Sequence, residues 1–477
     1  MSSGHDGSIT RREFIQRGLG VAAATALINP LEQLIAAPAV PRKPNVLFVF
    51  ADQMRAASLG CLGNPQVHTP NMDKLAKGGL LFSNCISNYP VCTPYRAALL
   101  TGRYSTTTGV VANGVELQNS EITIAEVLKG QGYKTGYIGK WHLEKNGLPF
   151  VPKDRRQGFD YWAVRNTGGP HWDSFYCMDT EEQVPMSGYV PDAATKLAVD
   201  FIERNASKPF CLFLSWGSPH PAYDPPKKFA DMYDAAKLKQ RPNVPDNSFK
   251  DTLRQYYGAI TALDEDIGKL TAALQKAGIA EDTIVVFTSD HGDMMGSHGQ
   301  IGKNVPWEES INVPFILRYP RKAKAGGKTD LLLSTVDIMP TLLGLCGAPI
   351  PKGVQGLNLS SNVLGKGGTK PESVLTERVV AGRQPGIPVQ GWRGVRTARY
   401  TYARGKDQPW LLYDNVADPY QMKNLIAKPE AKSIQAKLDA ELQRWLKKVG
   451  DDFATPDEWR KRVRAHANRK VMRGLEE

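Results

Sequence analysis

Four stretches of the chain are largely apolar, and each one runs directly into polar residues. The stretches span residues 45–50, 135–139, 209–216 and 283–289. Continuous runs of this kind are typical of strands that are buried on both faces of a sheet. The polar residues that follow them are Asp52 and Gln53, Lys140 and His142, His220, and Asp290 and His291. Because ligand sites in parallel sheets lie at the carboxyl ends of strands, these residues are the first candidates for a functional site.

Amphipathic patterns with a helical period lie between the apolar runs. Apolar residues recur at helical spacing over 194–202 and 253–274, which predicts two helices with one buried face each. Thr123 and Glu126 have the spacing of a capping box and predict the start of another helix. Alternating strands and helices predict an α/β fold with a large, mostly parallel sheet that is sandwiched by helices.

The pattern changes after about residue 350. Residues 351–368 are rich in glycine, serine and lysine and contain no periodic run, which predicts a boundary. Beyond it, 395–402 and 410–413 are typical of short strands in an antiparallel sheet, and 434–449 of an amphipathic helix that ends at Gly450. We therefore expect a main α/β domain over 40–355 and a smaller C-terminal subdomain of antiparallel sheet plus helix over 356–477.

The first residues of the chain have the features of a targeting segment. Residues 10–16, Thr-Arg-Arg-Glu-Phe-Ile-Gln, are similar to a twin-arginine export signal, and a mildly apolar run over 18–28 follows them. Small residues at 37–39 offer a cleavage site. The segment predicts a signal peptide over 1–39, transport by the twin-arginine machinery and a periplasmic or secreted protein. No later stretch reaches about 18 apolar residues, so we expect no transmembrane anchor in the mature protein.

Composition and charge limit the classes of partner that the protein can bind, but they do not identify one partner. The 477 residues carry 60 basic and 48 acidic side chains, a formal net charge of +12, which suits a polyanionic partner. No recognisable nucleic-acid-binding motif is present, so we expect no nucleic-acid partner. The six cysteines include no Cys-x-x-Cys pair, which argues against a zinc site or a thioredoxin-like motif.

One cysteine lies where a helix is predicted to begin. Residues 91–103 read Val-Cys-Thr-Pro-Tyr-Arg-Ala-Ala-Leu-Leu-Thr-Gly-Arg; Pro94 suits a first helical turn and Gly102 suits the helix end. Cys92 would then lie at the positive end of the helix dipole, where free N–H groups favour anions. Arg96, one turn later, adds a fixed positive charge that is suited to an oxyanion.

This stretch closely resembles the signature of the type I, formylglycine-dependent sulfatases of the alkaline phosphatase superfamily. Its pattern is Cys-x-Pro-x-Arg followed by Ala-x-Leu-x-Thr-Gly-Arg, and residues 412–425 resemble the closing segment of many sulfatases. The resemblance implies that Cys92 is oxidised to formylglycine (3-oxoalanine) by a formylglycine-generating or radical maturation enzyme. In that family the hydrated aldehyde is the nucleophile.

The strand ends and the resemblance together predict a metal site. Its candidate ligands are Asp52, Gln53, the formylglycine made from Cys92, Asp290 and His291. Oxygen ligands with one imidazole suit a hard or borderline divalent cation; Ca²⁺ is our first choice, with Mg²⁺ and Mn²⁺ open. The family usually has a second aspartate at the position of Gln53 and often an asparagine at that of His291. The set present here also resembles that of phosphonate monoester hydrolases.

A second group of candidates would handle the sulfate. It consists of Arg96, Lys140, His142, His220 and Lys303. The resemblance implies that Lys140 and Lys303 hold sulfate oxygens and that Arg96 supports the formylglycine; Lys303 follows a glycine-rich loop over 296–302, which can bring it back to the site. We expect His220 to bind the substrate and protonate the leaving alcohol. His142 would take a proton from the second hydroxyl, which expels sulfate and regenerates the aldehyde.

These residues predict a sulfuric ester hydrolase that removes sulfate from sulfated carbohydrate. Two alternatives remain open at this point: a phosphonate monoester or phosphodiester hydrolase of the same superfamily, and an inactive protein that binds sulfated glycans. Aromatic faces stack on sugars, so a sugar site could be lined by Trp141, His171, Trp172 and Tyr176.

Overall fold

The structure is a computed structural model that describes residues 43–145, 147–246, 248–380, 386–388 and 390–463. The predicted signal peptide over 1–39 lies outside these residues. Within them, no helix combines the length and apolar character that crossing a membrane requires. The described cysteines are all free thiols.

A sheet of eight strands runs through the centre of the molecule. The strands of the structure are, in chain order, β1 (Asn45–Ala51), β2 (Leu80–Ile86), β3 (Lys134–Lys140), β4 (Tyr161–Arg165), β5 (Trp172–Tyr176), β6 (Val184–Tyr189), β7 (Phe210–Ser215), β8 (Thr283–Ser289), β9 (Asn312–Arg318), β10 (Gly327–Ser334), β11 (Ser373–Arg378), β12 (Trp392–Thr397), β13 (Tyr400–Arg404) and β14 (Pro409–Asp414). The order in the main sheet is β10-β2-β9-β8-β1-β7-β3-β4. Among these strands β9 alone runs antiparallel to its neighbours, which confirms the mostly parallel sheet.

Helices cover both faces of this sheet. The helices of the structure are, in chain order, α1 (Pro70–Lys77), α2 (Cys92–Thr101), α3 (Ser105–Thr108), α4 (Ile124–Gly130), α5 (Val190–Asn205), α6 (Lys227–Ala230), α7 (Lys250–Lys276), α8 (Glu308–Ile311), α9 (Thr335–Cys346), α10 (Ser360–Val363) and α11 (Lys432–Val449); the last, α11, packs on the small C-terminal sheet. The predicted capping box is present at the start of α4, where Thr123 Oγ1 accepts from Glu126 N and Glu126 Oε2 accepts from Thr123 N. The two amphipathic patterns correspond to α5 and α7.

The core consists of two apolar layers, one on each face of the sheet. Along β1, Val46, Phe48 and Phe50 enter one layer, while the alternating positions enter the other. Helices α2, α4 and α9 pack on the first layer and α1, α5 and α7 on the second. Because successive side chains of a strand point to opposite faces, β1 is buried completely, as its unbroken apolar run predicts.

The four predicted strands are neighbours in the order β8-β1-β7-β3, and all of them are parallel. Their carboxyl ends therefore meet at one edge, which is where the polar candidates follow. At this edge β3 and β7 approach so closely that only glycine fits at position 139. A Cβ on Gly139 would lie 2.0 Å from the Ser215 carbonyl oxygen, and the residue has φ +99°.

The C-terminal region contains the small antiparallel sheet and the helix that its sequence predicts. The strand order is β11-β12-β13-β14, and α11 ends at Gly450, which has φ +71°. One expectation is wrong in detail: 395–402 is a hairpin rather than one strand. Thr397 Oγ1 accepts hydrogen bonds from the backbone N–H groups of Arg399 and Tyr400, and this side-chain turn ends β12 before β13 begins. The domain boundary near 355 stays a prediction.

Candidate active site

Cys92 occupies the first position of α2, as predicted. Val91 before it is extended, and the helix ends at Thr101 because Gly102 takes the left-handed conformation with φ +64°. The Cys92 side chain is 1% exposed. The thiol is therefore a buried group at the positive end of a helix, where unpaired backbone N–H groups stabilise negative charge.

Three of the predicted metal ligands surround Cys92. Asp52 follows β1, and Asp290 and His291 follow β8; together with Cys92 they place one ligand atom each within 4.8 Å of all the others. Cys92 Sγ lies 3.2 Å from His291 Nε2 and 3.7 Å from Asp52 Oδ1. Two carboxylates, one imidazole and the Cys92 side chain thus converge on a point that can hold a divalent cation.

The orientation of His291 fits a role as a metal ligand. Its Nδ1 lies 3.1 Å from the carbonyl oxygen of Gly292. A carbonyl can only accept, so Nδ1 donates to it and Nε2 faces Cys92 and the two carboxylates; against burial, Asp290 raises the pKa of the ring, so Nε2 would release its proton on binding a cation. A backbone carbonyl that fixes the tautomer of an imidazole in this way is the usual arrangement in metal sites.

Arg96 links the carboxylates of Asp52 and Asp290 by hydrogen bonds. Its Nη2 lies 3.3 Å from Asp52 Oδ2 and 3.3 Å from Asp290 Oδ2, while Nη1 donates to the Lys140 carbonyl and to Ser215 Oγ at 2.5 and 2.7 Å. The guanidinium is 1% exposed. This planar fork therefore links the ends of β1, β3, β7 and β8 by hydrogen bonds that a flexible lysine could not make together.

The protonation of the carboxylates reflects their crowding. Burial opposes the ionised form of Asp52, but the cations Lys140, Lys303 and Arg96 together with His220 outweigh it and hold its pKa well below the usual range. Burial and the neighbouring charge of Asp52 instead raise the pKa of Asp290. One of these two buried carboxyl groups resists ionisation because the site around the pair has too little positive charge. A divalent cation would supply the missing charge.

The electrostatics also favour an ionised Cys92. Burial and Asp52 both oppose its ionisation, yet Lys140, Lys303 and His291 outweigh them, and the pKa of the thiol lies well below its ordinary value. Lys140 Nζ donates to Asp52 Oδ2 at 2.5 Å, and Lys303 Nζ lies 3.7 Å from Cys92 Sγ. The site is thus built to hold an anion next to Cys92.

Lys303 and Gln53 meet at the entrance to this cluster. Lys303 returns to the site after the loop over 296–302, in which Gly296, Gly299 and Gly302 all have positive φ, and donates to Gln53 Oε1 at 2.5 Å. The other end of the Gln53 amide donates from Nε2 to Asp293 Oδ2 at 2.6 Å. The structure therefore brings Gln53 and Lys303 together with the other candidates.

His142 and His220 stand on two sides of the site. Burial lowers the pKa of His142, and Lys140 lowers it further against the opposing contact with Cys92, so the ring is neutral and able to accept a proton. Burial, with Lys303 and Lys140, also lowers the pKa of His220, whose Nδ1 donates to the Pro221 carbonyl. His220 would have to gain a proton at Nε2 when an anionic substrate binds before it could act as an acid.

A cleft of about 530 Å³ opens beside Gln53, His220 and Lys303. Its far wall includes Tyr223, Phe249 and Ile301, and Ile301 is 65% exposed. Two of its lining residues, Gln53 and Lys303, contact the buried cluster, and the cleft leaves room for a substrate group next to the lysine.

The structure contradicts part of the expectation of an aromatic sugar site. Trp141 is 1% exposed and packs against Tyr137, Phe159 and Trp162 in the core, because it continues the buried strand β3. It cannot stack on a sugar. His171 is also buried and binds Asp224, while Trp172 is 37% exposed.

Sequence reasoning missed two groups that complete the site. Asp293 accepts hydrogen bonds from Gln53 and from the Tyr223 hydroxyl, each at 2.6 Å. The sequence did contain an indication of Asp293, because it stands three residues after Asp290 at a strand end. It contained no indication of Tyr223, which lies in an irregular loop and contacts Asp293 only in the folded chain.

Comparisons with known proteins agree with this geometry. The family model named Sulfatase matches residues 44–348, and a model of the C-terminal part of N-sulphoglucosamine sulphohydrolase matches 296–448. An ulvan-active sulfatase of Formosa agariphila is 41% identical over 435 residues, which cover 88% of this chain and 84% of that protein.

Two further matches cover a similar share of the chain. An endo-4-O-sulfatase of Bacteroides thetaiotaomicron is 32% identical over 478 residues, covering 86% of this chain and 93% of that protein. A crystal structure from Bacteroides fragilis, described as the sulfatase yidJ, has a TM-score of 0.80 at 34% identity and covers 88% of this chain and 98% of that one. With a family model over more than half of its length and relatives of this similarity, the chain belongs to the sulfatase family of the alkaline phosphatase superfamily and is a sulfatase.

Proposed function

We propose that this sulfatase removes sulfate from sulfated carbohydrate with a formylglycine made from Cys92 and a divalent metal. The observation that carries the proposal is the arrangement of Asp52, Cys92, Asp290 and His291, whose ligand atoms lie within 4.8 Å of one another. Lys140 and Lys303 border the same point. A binding protein would have no use for a buried, activated nucleophile at a helix N-terminus.

The residues present fit a metal. Asp52, Gln53, Asp290, His291 and an oxygen of oxidised Cys92 would hold it; four of these five ligand groups are oxygens, which suits a hard divalent cation, and Ca²⁺ is our first choice with Mg²⁺ and Mn²⁺ open. When bound, the cation would polarise the sulfate group and favour an ionised nucleophile. Formylglycine would contribute the hydroxyl that attacks sulfur.

The remaining residues of the site have separate tasks in the proposal. Lys140 and Lys303 neutralise the sulfate oxygens as charge develops on them. Arg96 holds Asp52 and Asp290 in place. His142, neutral because burial lowers its pKa, accepts the proton that must leave when sulfate is expelled. His220 faces the cleft and donates a proton to the leaving alcohol after the sulfate charge has raised its affinity for protons.

A sulfated carbohydrate is the substrate class that we favour. The two relatives described above are named for ulvan and for 4-O-sulfate groups, and the chain carries a net charge of +12 that attracts a polyanion. The cleft beside His220 has room for a sugar residue next to the bound sulfate. We also propose that the chain is exported by the twin-arginine machinery after a maturation enzyme has modified Cys92.

A second candidate is a phosphonate monoester or phosphodiester hydrolase. Gln53 and His291 favour it, since both depart from the residues that sulfatases usually have at these positions. The test compares an aryl sulfate with an aryl phosphonate, using the full chain produced together with a formylglycine-generating enzyme. We expect a kcat/KM at least about 10²-fold higher for the sulfate, a difference of about 2.7 kcal/mol in activation free energy. A preference for the phosphonate would overturn the proposal.

The nucleophile is tested on the same preparation. We expect peptide mass spectrometry to find the residue at position 92 as an aldehyde or its hydrate, and Cys92→Ala to have no activity above background. Cys85→Ala is a matched control, because Cys85 is a buried thiol in β2 that the chemistry does not use. An active enzyme whose Cys92 is always a free thiol would contradict the mechanism.

A further inference from the structure

Gln53 is held at every polar group it has. Its backbone N–H donates to Asp290 Oδ1 at 3.0 Å and its carbonyl accepts from the Tyr256 hydroxyl at 2.9 Å. The side chain donates from Nε2 to Asp293 and accepts at Oε1 from Lys303. The residue is 1% exposed and has φ +72°, so the surrounding structure determines its conformation completely.

The two partners of the side chain allow only one orientation of the amide. A carboxylate can only accept hydrogen bonds, and an ammonium group can only donate them. Reversing the amide of Gln53 would place its oxygen against the Asp293 carboxylate and its NH₂ group against the Lys303 ammonium. Both contacts would be repulsive in a buried site, so Oε1 must point toward Lys303.

This orientation directs the amide oxygen to the nucleophile. Lys303 Nζ contacts Gln53 Oε1 at 2.5 Å and Cys92 Sγ at 3.7 Å, so Oε1 lies on the side of the cluster that contains Cys92. A carboxylate at position 53 would need no such control, because both of its oxygens can bind a cation. An amide presents an oxygen on one side and hydrogen on the other, and the wrong side cannot bind a cation.

Asp293 is itself fixed. Its Oδ2 accepts from the Tyr223 hydroxyl at 2.6 Å and its Oδ1 from the Met295 backbone N–H at 2.9 Å. The side chain is fully buried. Tyr223 packs edge-on against Tyr256, and Tyr256 holds the backbone of Gln53. The three side chains therefore form one rigid support around the amide.

We propose that Asp293, fixed by Tyr223, is a positioning residue that directs Gln53 Oε1 into the metal site and so lets a neutral amide serve in place of a second carboxylate. The inference rests on the proposed metal of the active site. Asp293 also places a negative charge near the proposed cation. Its carboxylate lies one hydrogen bond away from the side chain that stands where the family usually has a second aspartate. Groups that orient a metal ligand in this way affect metal affinity by about 10–100-fold.

The test measures Ca²⁺ binding to the full chain by calorimetry, with Mg²⁺ and Mn²⁺ in parallel. In Asp293→Asn the new side chain amide can donate as well as accept, so only Lys303 still opposes the reversed orientation of the Gln53 amide. We expect the Kd for the cation to rise about 10–100-fold. Tyr223→Phe removes one of the bonds that hold Asp293 and should raise the Kd less than Asp293→Asn does.

A combined variant separates orientation from general damage to the fold. Gln53→Asp together with Asp293→Asn exchanges the acid and the amide functions between the two positions, provides an acidic ligand at position 53 and keeps a hydrogen-bond donor beside it. We expect this variant to bind the cation within about 3-fold of the unchanged protein, which corresponds to about 0.7 kcal/mol. Asp264→Asn is a matched control, since it alters a buried carboxylate that caps α1 and should leave the Kd unchanged.

Two different results would count against the idea. If the unchanged protein binds the cation and Asp293→Asn binds it equally well, or if the exchange variant is no better than Asp293→Asn alone, the role of Asp293 is overturned while the proposed function stands. If the unchanged protein binds none of the three cations, the proposed metal site fails, and the inference fails with it.

Discussion

Replacing Arg96 by methionine should be among the most destabilising single changes at the active site. The variant keeps an unbranched apolar side chain and removes the charged guanidinium, whose central carbon lies 4.9 Å from the centroid of the Phe50 ring. Asp52 and Asp290 then lose a shared cation, and the Lys140 carbonyl and Ser215 lose a donor. Removing one partner of a buried ion pair costs about 3–5 kcal/mol, and we expect the free energy of unfolding to fall by that amount.

The loss should also depend on pH in a known direction. Burial and Asp52 already raise the folded-state pKa of Asp290; without Arg96 that pKa rises further, and the pKa of Asp52 moves up from its lowered value. A carboxyl group whose pKa is raised by folding destabilises the fold at pH values above its unfolded pKa, about 3.9, and this cost disappears as pH falls through the raised value. The difference between Arg96→Met and the unchanged protein should therefore be largest at pH 8 and smaller at pH 5.

Urea unfolding in the presence of EDTA measures both effects without a contribution from metal binding. Arg103→Met is a matched control, because Arg103 follows the same helix but its pair with Glu121 is 31% and 11% exposed. Such a pair contributes about 0–1 kcal/mol. The reasoning is refuted if Arg96→Met costs no more than the control, or if its cost does not change between pH 8 and pH 5.

Three further predictions concern charge, backbone and protonation. Lys303→Met removes a donor at the sulfate oxygens, and kcat/KM for an aryl sulfate should fall about 10²–10³-fold; a change below about 3-fold would contradict this role. Gly139→Ala places a Cβ 2.0 Å from the Ser215 carbonyl oxygen, whereas Gly63→Ala has a positive φ as well but open space around the new Cβ. In thermal unfolding, Gly139→Ala should therefore lower Tm at least twice as much as Gly63→Ala does. Equal decreases in Tm would exclude the clash. Glu377 is buried, and burial raises its pKa to about 8, so its ionisation destabilises the fold as pH rises from about 4.3. Glu377→Gln should therefore raise Tm at pH 8 and have a smaller effect at pH 5. A gain in Tm that grows toward acid pH would contradict this direction.

The central strands were predictable because burial alone determines their pattern. The runs that became β1, β3, β7 and β8 are apolar on both faces, and no other position in an α/β fold accommodates such a run. Their order then explains why Asp52, Lys140 and Asp290 meet. Pro94 and Gly102 predicted the helix, whereas the roles of Cys92 and Lys303 came from the resemblance to the sulfatase signature; the glycines before Lys303 indicated only that it could return to the site.

The antiparallel strand β9 was not predictable in the same way. β9 contains Pro314, a residue that normally argues against an inner strand. The pairing of β2 with β9 is irregular between Phe82 and Cys85, and this irregularity accommodates the missing N–H of the proline. Only the paired strands reveal that arrangement.

Residues that join distant parts of the chain were also missed. Tyr223 and Asp293 are 70 positions apart, and neither belongs to a periodic pattern. Trp141 is a different case: it was expected to line a sugar site, but it continues the buried strand β3 and its indole packs among Tyr137 and Trp162. Sequence patterns report the burial of elements, whereas such contacts depend on how loops close.

The loop before the nucleophile is held by the last third of the chain, and this has a consequence for the timing of synthesis. Asn88 accepts from the backbone N–H of Glu377, Tyr89 accepts from that of Val379, and Trp459 packs in the same cluster as Tyr89 and Val91. Roughly 385 residues follow Cys92, and at about 5–20 residues per second a ribosome needs roughly 20 to 80 s to add them. Cys92 leaves the ribosome early in that interval, before the segments that later bury it have been made, so the oxidation of Cys92 that we propose would be easiest while the chain is still being synthesised.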